Sequence, residues 1–477
     1  MSEQRNLVIN SLSMLVNRLT QGIATFVLTA TIARTLGAHA LGQYLLAFSY
    51  YYMFMSIASQ GLKSFFTRQL SRELQEIPVY LVNGTLLQLL FSIIGYLVLV
   101  AVVFALPYSS DTSTICYIMG LTIIPFSLSN ITEAIFQAQE KMHLIALSTV
   151  PIYILRLLVM IWAINLKYGV DSLAAILVIS EILILIIEWC LAINIIGIHW
   201  QIKQDFIWKA IKNSRTFLAL EAIGIIAGRM QILILSLLGS ELLVGLYGAI
   251  EQLMQPYYIL CDSILLATFP KMSKLVELGK EKQRQFGEGI IQVLLCIVLP
   301  LIIGMLILGN DLLNFIYKDP TFKEALLPFD LVALTLLTFT FSRSCGYILI
   351  ANSYEKLHLF EVVSTTILGG ISGIFFISQY KLIGAAYMAI VISLSSTSML
   401  VYSVYNRLFS FNLWNIMRYP IIISVLMLPV FTFLKLSGLN FLAVLVTATF
   451  IYAVLVKVLS VRVSNSFSLT NSAFFKK

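Results

Sequence analysis

The chain has 477 residues, 59% of them hydrophobic and only 11% charged, and its mean hydropathy is +0.92. Soluble chains carry about 25% charged residues, so this composition excludes a water-covered globule and makes lipid the solvent for much of the chain. The net charge of +8 is not a nucleic-acid signature: the basic residues gather at the ends of apolar runs, where they meet an anionic membrane surface and set topology.

A spanning helix needs about 20 mostly apolar residues. Windows of that length predict spans at 8–33, 41–61, 79–106, 114–138, 145–166 and 171–197. The opening Met1–Asn6 is short and polar and runs into membrane sequence without a small-residue cleavage site, unlike a signal peptide. After a basic stretch, Trp200–Arg215, further spans fall at 217–238, 242–269, 288–309, 328–351, 358–378 and 382–404, and two more at 416–436 and 439–460. The expected fold is an all-α integral membrane protein of about fourteen transmembrane helices.

With the N-terminus inside, the outer loops hold only Arg34, Lys167, Lys318, Lys323, Lys381 and Lys435. Arg18, Arg156, Arg229 and Arg343 fall within spans, and every other lysine and arginine lies inside. That asymmetry obeys the positive-inside rule and places both termini in the cytoplasm. The longest outer loop is expected at Gly309–Pro328, too short for a soluble domain, so function belongs to the helices and their ends. The cysteines, Cys116, Cys190, Cys261, Cys296 and Cys345, sit in or beside apolar segments and form no CxxC, and the histidines do not cluster. They read as packing residues, and neither a metal site nor a cofactor is expected.

The two halves echo each other. Leu36-Gly37 followed by Gly42 and Tyr44 has a counterpart in Leu238-Gly239 followed by Gly245 and Tyr247. Glu140-Lys141-Met142-His143-Leu144 returns as Glu355-Lys356-Leu357-His358-Leu359, and Val178-Ile179-Ser180 as Val391-Ile392-Ser393. The order predicts a duplication: an N-terminal six-helix bundle over 1–200, a cytoplasmic basic linker at 201–216, a C-terminal six-helix bundle over 217–410, and a terminal helix pair with its tail at 411–477. Six is even, so the repeats are parallel. Transporters of that plan bind substrate between their halves and rock one against the other; a duplicated scaffold without transport is the plainer reading.

A charge at the bilayer centre costs about 2.5–3.5 kcal/mol on insertion scales and should face water or a partner. Arg18 lies midway along the first span, in the polar run Asn17–Gln21, 24 residues before Gly42. Glu221 stands 24 residues before Gly245, so matched positions carry opposite charges. Arg156, Arg229 and Arg343 add three cations. They either pair with Glu133, Glu181, Glu188, Glu251, Asp262 or Asp330 and fix packing, or line a cationic cavity, because guanidinium makes bidentate, permanently charged contacts with phosphate. Glu133, Glu251 and Asp262 are candidates for proton or sodium coupling, against a packing role for each. Pro125, Pro256, Pro300 and Pro429 predict kinks. The aromatic run Tyr50-Tyr51-Tyr52-Met53-Phe54 suits packing or an interfacial belt better than sugar stacking.

The opening pattern Ala33-Arg34-Thr35-Leu36-Gly37 and Leu41-Gly42-Gln43-Tyr44, with Gln137-Ala138-Gln139-Glu140-Lys141 and Tyr168-Gly169-Val170, resembles the polysaccharide and O-antigen (Wzx-type) flippases of the multidrug/oligosaccharidyl-lipid/polysaccharide exporter superfamily. The resemblance implies a non-enzymatic transporter of the bacterial inner membrane. It would turn an undecaprenyl-diphosphate-linked oligosaccharide from the inner to the outer leaflet, in company with a polysaccharide polymerase and a chain-length regulator. The family's cationic cavity maps onto Arg18, Arg156, Arg229 and Arg343, and Glu221 departs from a purely cationic lumen. A multidrug or organic-cation exporter would instead have acids dominating its cavity. A peptidoglycan-precursor flippase is a nearer alternative. A membrane polymerase or glycosyltransferase would need a larger outer loop.

Overall fold

Long apolar runs in this chain are cut by short polar turns, and in lipid the only way such a run satisfies its own backbone groups is as a helix. A computed structural model describes residues 2–196 and 204–467, and among them helix is the only regular structure. In order these are α1 (Ser2–Thr35), α2 (Gly37–Met55), α3 (Gly61–Leu70), α4 (Ile77–Ala105), α5 (Ser110–Gly120), α6 (Ile123–Ala138), α7 (Met142–Asn165) and α8 (Val170–Ile196). They are followed by α9 (Gln204–Leu238), α10 (Glu241–Glu277), α11 (Lys280–Tyr317), α12 (Leu326–Ala351), α13 (Glu355–Arg407), α14 (Leu413–Leu436) and α15 (Phe441–Phe467). Each expected span coincides with one or more of them. Among the described residues ten helices are long and apolar enough to cross a membrane; α4, at 29 residues, is about 43 Å long against a hydrocarbon core of about 30 Å.

The departures have physical causes. α2 does not stop near 61: a π-helical turn, Ser56–Gln60, carries it directly into α3. Lys63 and Arg68 give α3 the look of a loop, but Leu62, Phe65, Phe66 and Leu70 are buried at helical spacing. The fourth span is two helices, α5 and α6, joined at Leu121-Thr122 ahead of Pro125. The outer loop expected at Gly309–Pro328 is mostly helix, because α11 runs on to Tyr317 and a 3-10 turn covers Pro320–Ala325. Lys381, with φ 51° and ψ −116°, breaks α13 where two spans were expected to meet. Of the basic stretch 201–216, residues 201–203 lie outside the described residues, and from Gln204 it is the start of α9. The tail beyond 467 also lies outside them.

Helices sharing a lipid solvent gain little from burying apolar area, so they associate through close packing and polar contacts. The chain divides into two compact units, Met1–Gln252 with Gly370–Ala385, and Leu253–Gly369 with Ala386–Lys477. In the first, α1 packs along α7, α3 lies against α6 and α9, and α8 lies against α6 and α7. Its apolar centre joins Leu62, Phe66 and Leu70 of α3 to Tyr80 and Leu87 of α4 and Ile131 and Ile135 of α6. Phe66 and Phe206 both bracket the Tyr80 ring edge-on, at 5.5 and 4.6 Å, a geometry worth about 0.5–1.5 kcal/mol per pair. In the second unit α11 packs between α12 and α14. The terminal pair is anchored there through Leu308, Met427, Phe431, Leu434 and Val444, with Gly304 leaving room for the Phe431 ring.

Candidate functional site

Within the first unit, the α1–α2 turn and the α9–α10 turn come together at one end. Gly42 and Gly245 face each other there. A β-carbon on Gly42 would fall on the Glu241 carbonyl, and one on Gly245 on the Ala38 carbonyl, so only glycine allows this approach. Side chains tie the same end. Gln43 Nε2 donates to Thr112 Oγ1 at 3.1 Å, and Thr112 donates to Glu241 Oε1 at 3.0 Å. The Tyr108 hydroxyl lies 2.8 Å from Tyr50 Oη and 2.7 Å from Ser236 Oγ. Lys381 Nζ donates at 2.7 Å to the Leu238 carbonyl, placing a cation on the negative C-terminus of α9. Gly42 and Gly245 read in the sequence as turn markers, and Gln43, Tyr50, Leu238 and Lys381 appear there in other settings, but Tyr108, Thr112, Ser236 and Glu241 carry no signal of this tie.

The four arginines fall into two kinds. Arg156 Nη1 lies 2.7 Å from Glu181 Oε1, with the Arg156 side chain 14% exposed and that of Glu181 buried; the guanidinium also covers the Tyr153 ring at 4.8 Å. In the second unit, Arg343 holds Asp262 through Nε at 2.6 Å and Nη2 at 3.2 Å, and both side chains stay about 40% exposed. These two follow the pairing expectation, with Glu181 and Asp262 chosen from the available carboxylates.

Arg18 and Arg229 are different. Neither has a carboxylate within ion-pair distance among the described residues. Arg18 is exposed on α1, while its neighbour Asn17 turns inward and accepts a hydrogen bond from Thr149 at 3.1 Å. Arg229 lies over the Phe48 and Tyr52 rings at 5.7 and 5.1 Å, a cation–π seat that holds the guanidinium without neutralising it. Glu251 is a carboxylate whose charge interacts with Arg229. Beside Arg229, Gly224 and Gly228 have open space where a β-carbon would stand. Glu221 is half-buried on α9 and makes no ion pair with Arg18. Glu133 is paired with Lys63 of α3, a lysine that the sequence placed in an inside loop. The structure therefore pairs Arg343 with Asp262, puts Glu251 in the field of Arg229 without an ion pair, and leaves Arg18, Glu221 and Arg156 apart from both. Among the described residues no group of three or more metal-ligating side chains forms.

A family model described as polysaccharide biosynthesis protein matches residues 31–320. No curated protein sequence matches the chain. Among solved structures, the lipid II flippase MurJ in an inward closed conformation superposes with a TM-score of 0.77 at 14% identity, over 96% of this chain and 99% of that one. An inward-facing multidrug resistance MATE family transporter of the MOP superfamily gives 0.63 at 12% identity, over 91% and 100%. The MATE multidrug transporter DinF-BH gives 0.59 at 16%, over 86% and 96%. At these identities the likeness is one of fold: this chain has the fold of the MOP-superfamily transporters.

Proposed function

The chain belongs to the polysaccharide biosynthesis protein family, and we propose that it is a flippase for an undecaprenyl-diphosphate-linked oligosaccharide, the repeat unit of an O-antigen or related polysaccharide. It carries that lipid from the cytoplasmic to the outer leaflet of a bacterial inner membrane by alternating access, and no covalent chemistry is asked of it. The observation that carries the reading is the pair of guanidiniums with no ion-pair partner among the described residues, Arg18 and Arg229, the second seated on aromatic rings with the charge of Glu251 in its field. An unpaired charge in a spanning helix is costly and persists where it meets water or an anion. Guanidinium suits the oxygens of a diphosphate. In this reading residues 1–200 and 217–410 act as parallel six-helix bundles joined by 201–216, with 411–477 appended and both termini cytoplasmic. A polymerase and a chain-length regulator are its working partners.

An organic-cation exporter is disfavoured because acids do not dominate: Arg18 and Arg229 stand alongside Glu221 and Glu251. A peptidoglycan-precursor flippase shares the diphosphate chemistry, and the fold likeness to MurJ keeps it as the second reading. Deleting the gene in its host separates the two. Surface polysaccharide is lost and its lipid-linked repeat unit accumulates in the inner leaflet under the first; cell-wall synthesis fails under the second. Normal surface polysaccharide in the deletion strain sinks the first.

The arginines give a finer prediction. In proteoliposomes, Arg229→Gln raises the KM for the lipid-linked diphosphate roughly ten- to hundredfold, the equivalent of a charge-assisted contact worth about 1.5–3 kcal/mol. Arg229→Lys recovers little of it, because a point charge replaces a fork. An unchanged KM with a lowered melting temperature would assign Arg229 to packing.

A further inference from the structure

Away from the arginines, the first unit buries an acid that has no cation of its own. Glu188, on α8, is fully buried, and among the described residues no basic nitrogen lies within ion-pair distance of it. Its oxygens are held separately. Thr132 Oγ1 of α6 is 2.7 Å from Oε2, and Ser148 Oγ of α7 is 3.0 Å from Oε1. Each hydroxyl also lies within bonding distance of a carbonyl one turn back, Thr132 of Ser129 at 2.7 Å and Ser148 of Ile145 at 2.9 Å. A hydroxyl has one hydrogen to give. Two hydrogens therefore face four acceptors.

A proton on Glu188 changes that balance. With Oε2 protonated, its O–H donates to Thr132 Oγ1, Thr132 turns its own hydrogen to the Ser129 carbonyl, and Ser148 donates to Oε1. Three of the four contacts are then filled. Without the proton, both hydroxyls turn to the carboxylate and both carbonyl contacts are given up. The same heavy-atom positions serve both states, and rotation about the Thr132 hydroxyl is the only adjustment.

Charge balance points the same way. The charged groups interacting with Glu188 are Glu133 of α6, next in sequence to Thr132, and Lys63 of α3. Tyr153 of α7 is a further titratable group in its field. Lys63 and Glu133 are paired to each other, each about 15% exposed, and so touch the surroundings where Glu188 does not. One ammonium serves two carboxylates, and a buried charge without a partner is among the costliest arrangements in a protein. A proton on Glu188 makes the cluster neutral.

We infer that Glu188, with Thr132 and Ser148, is a proton-binding site inside the first unit, reached by way of the Glu133–Lys63 pair, and that its loading and unloading couple transport to a proton gradient. The site stands on its own geometry; the coupling role rests on the flippase reading above.

The test uses the full chain in lipid nanodiscs and infrared difference spectra between alkaline and acidic buffers, with and without sodium. Acidification raises a protonated-carboxyl C=O stretch in the wild type. The stretch is missing in Glu188→Gln and shifted in frequency in Thr132→Val, which keeps the acid but loses its hydroxyl partner. A band unaltered in both variants overturns the proton site, as does the same spectral change driven by sodium at constant pH. In proteoliposomes carrying a fluorescent undecaprenyl-diphosphate disaccharide, an imposed pH gradient accelerates wild-type translocation, and in Glu188→Gln the rate ceases to depend on the gradient. Full gradient dependence in that variant overturns the coupling. Absence of translocation by the wild type under any gradient overturns the flippase reading and the coupling with it, while the infrared result still decides the proton site.

Discussion

Glu181→Ala destabilises the protein by about 3–5 kcal/mol, the cost of stranding a buried charge whose partner has been removed. Arg156 cannot escape by losing a proton, and its 2.7 Å contact to Glu181 is backed by Ser180 Oγ at 3.4 Å and the Tyr153 ring. The double replacement Arg156→Met with Glu181→Leu recovers most of that loss, because apolar groups of similar volume leave no charge uncompensated. Asp262→Ala is the contrast. Its pair with Arg343 is about 40% exposed, where such a bridge is worth about 0–1 kcal/mol, so its effect falls on transport and not on melting. The buried thiols of Cys116, Cys261 and Cys345 report unfolding through a thiol-reactive dye in each variant. Equal melting shifts for Glu181→Ala and Asp262→Ala would remove the distinction between a packing pair and a working one.

The spans were legible because hydropathy is all that a lipid-facing helix must satisfy, and each expected segment falls on helix between α1 and α15. α3 was not, because a window that averages over Lys63, Arg68 and the phenylalanines loses the stripe Leu62, Phe65, Phe66 and Leu70 that buries it. The interior arginines were visible as charges in apolar sequence. Which carboxylate each would take was not, since Glu181 and Glu188 lie two turns apart on α8 and only packing gives one a guanidinium and the other two hydroxyls. The echo Glu140-Lys141 and Glu355-Lys356 is clear in sequence, yet α7 begins after the first pair, at Met142, and α13 begins with the second, at Glu355. Gly42 and Gly245 were matched as turn residues; their actual constraint is the approach of two backbones, which no local spacing encodes.

That approach makes the second large prediction. Gly42→Ala or Gly245→Ala forces α2 and α10 apart at the end where their turns meet, because the new methyl falls on a backbone carbonyl, of Glu241 or of Ala38, that no rotamer change can move. Overpacking of this kind costs about 1–3 kcal/mol, a shift of roughly 5- to 150-fold between a closed and an open end. The hydrogen bonds from Gln43 through Thr112 to Glu241 cross the same contact and are lost with it. Gly248→Ala supplies the control, since its methyl would meet the Leu45 side chain, which can turn aside. In a cysteine-free background with a single cysteine at the buried Leu41, a membrane-impermeant maleimide labels Gly42→Ala and Gly245→Ala much faster than Gly248→Ala. The proposed topology puts this end on the outer face, so the reagent reaches it from outside. Equal labelling of all three would mean that the glycine contact does not hold the end closed. A faster reaction only in the first two makes the pair of glycines, matched across the two halves of the sequence, the seal that an alternating-access cycle must break and remake.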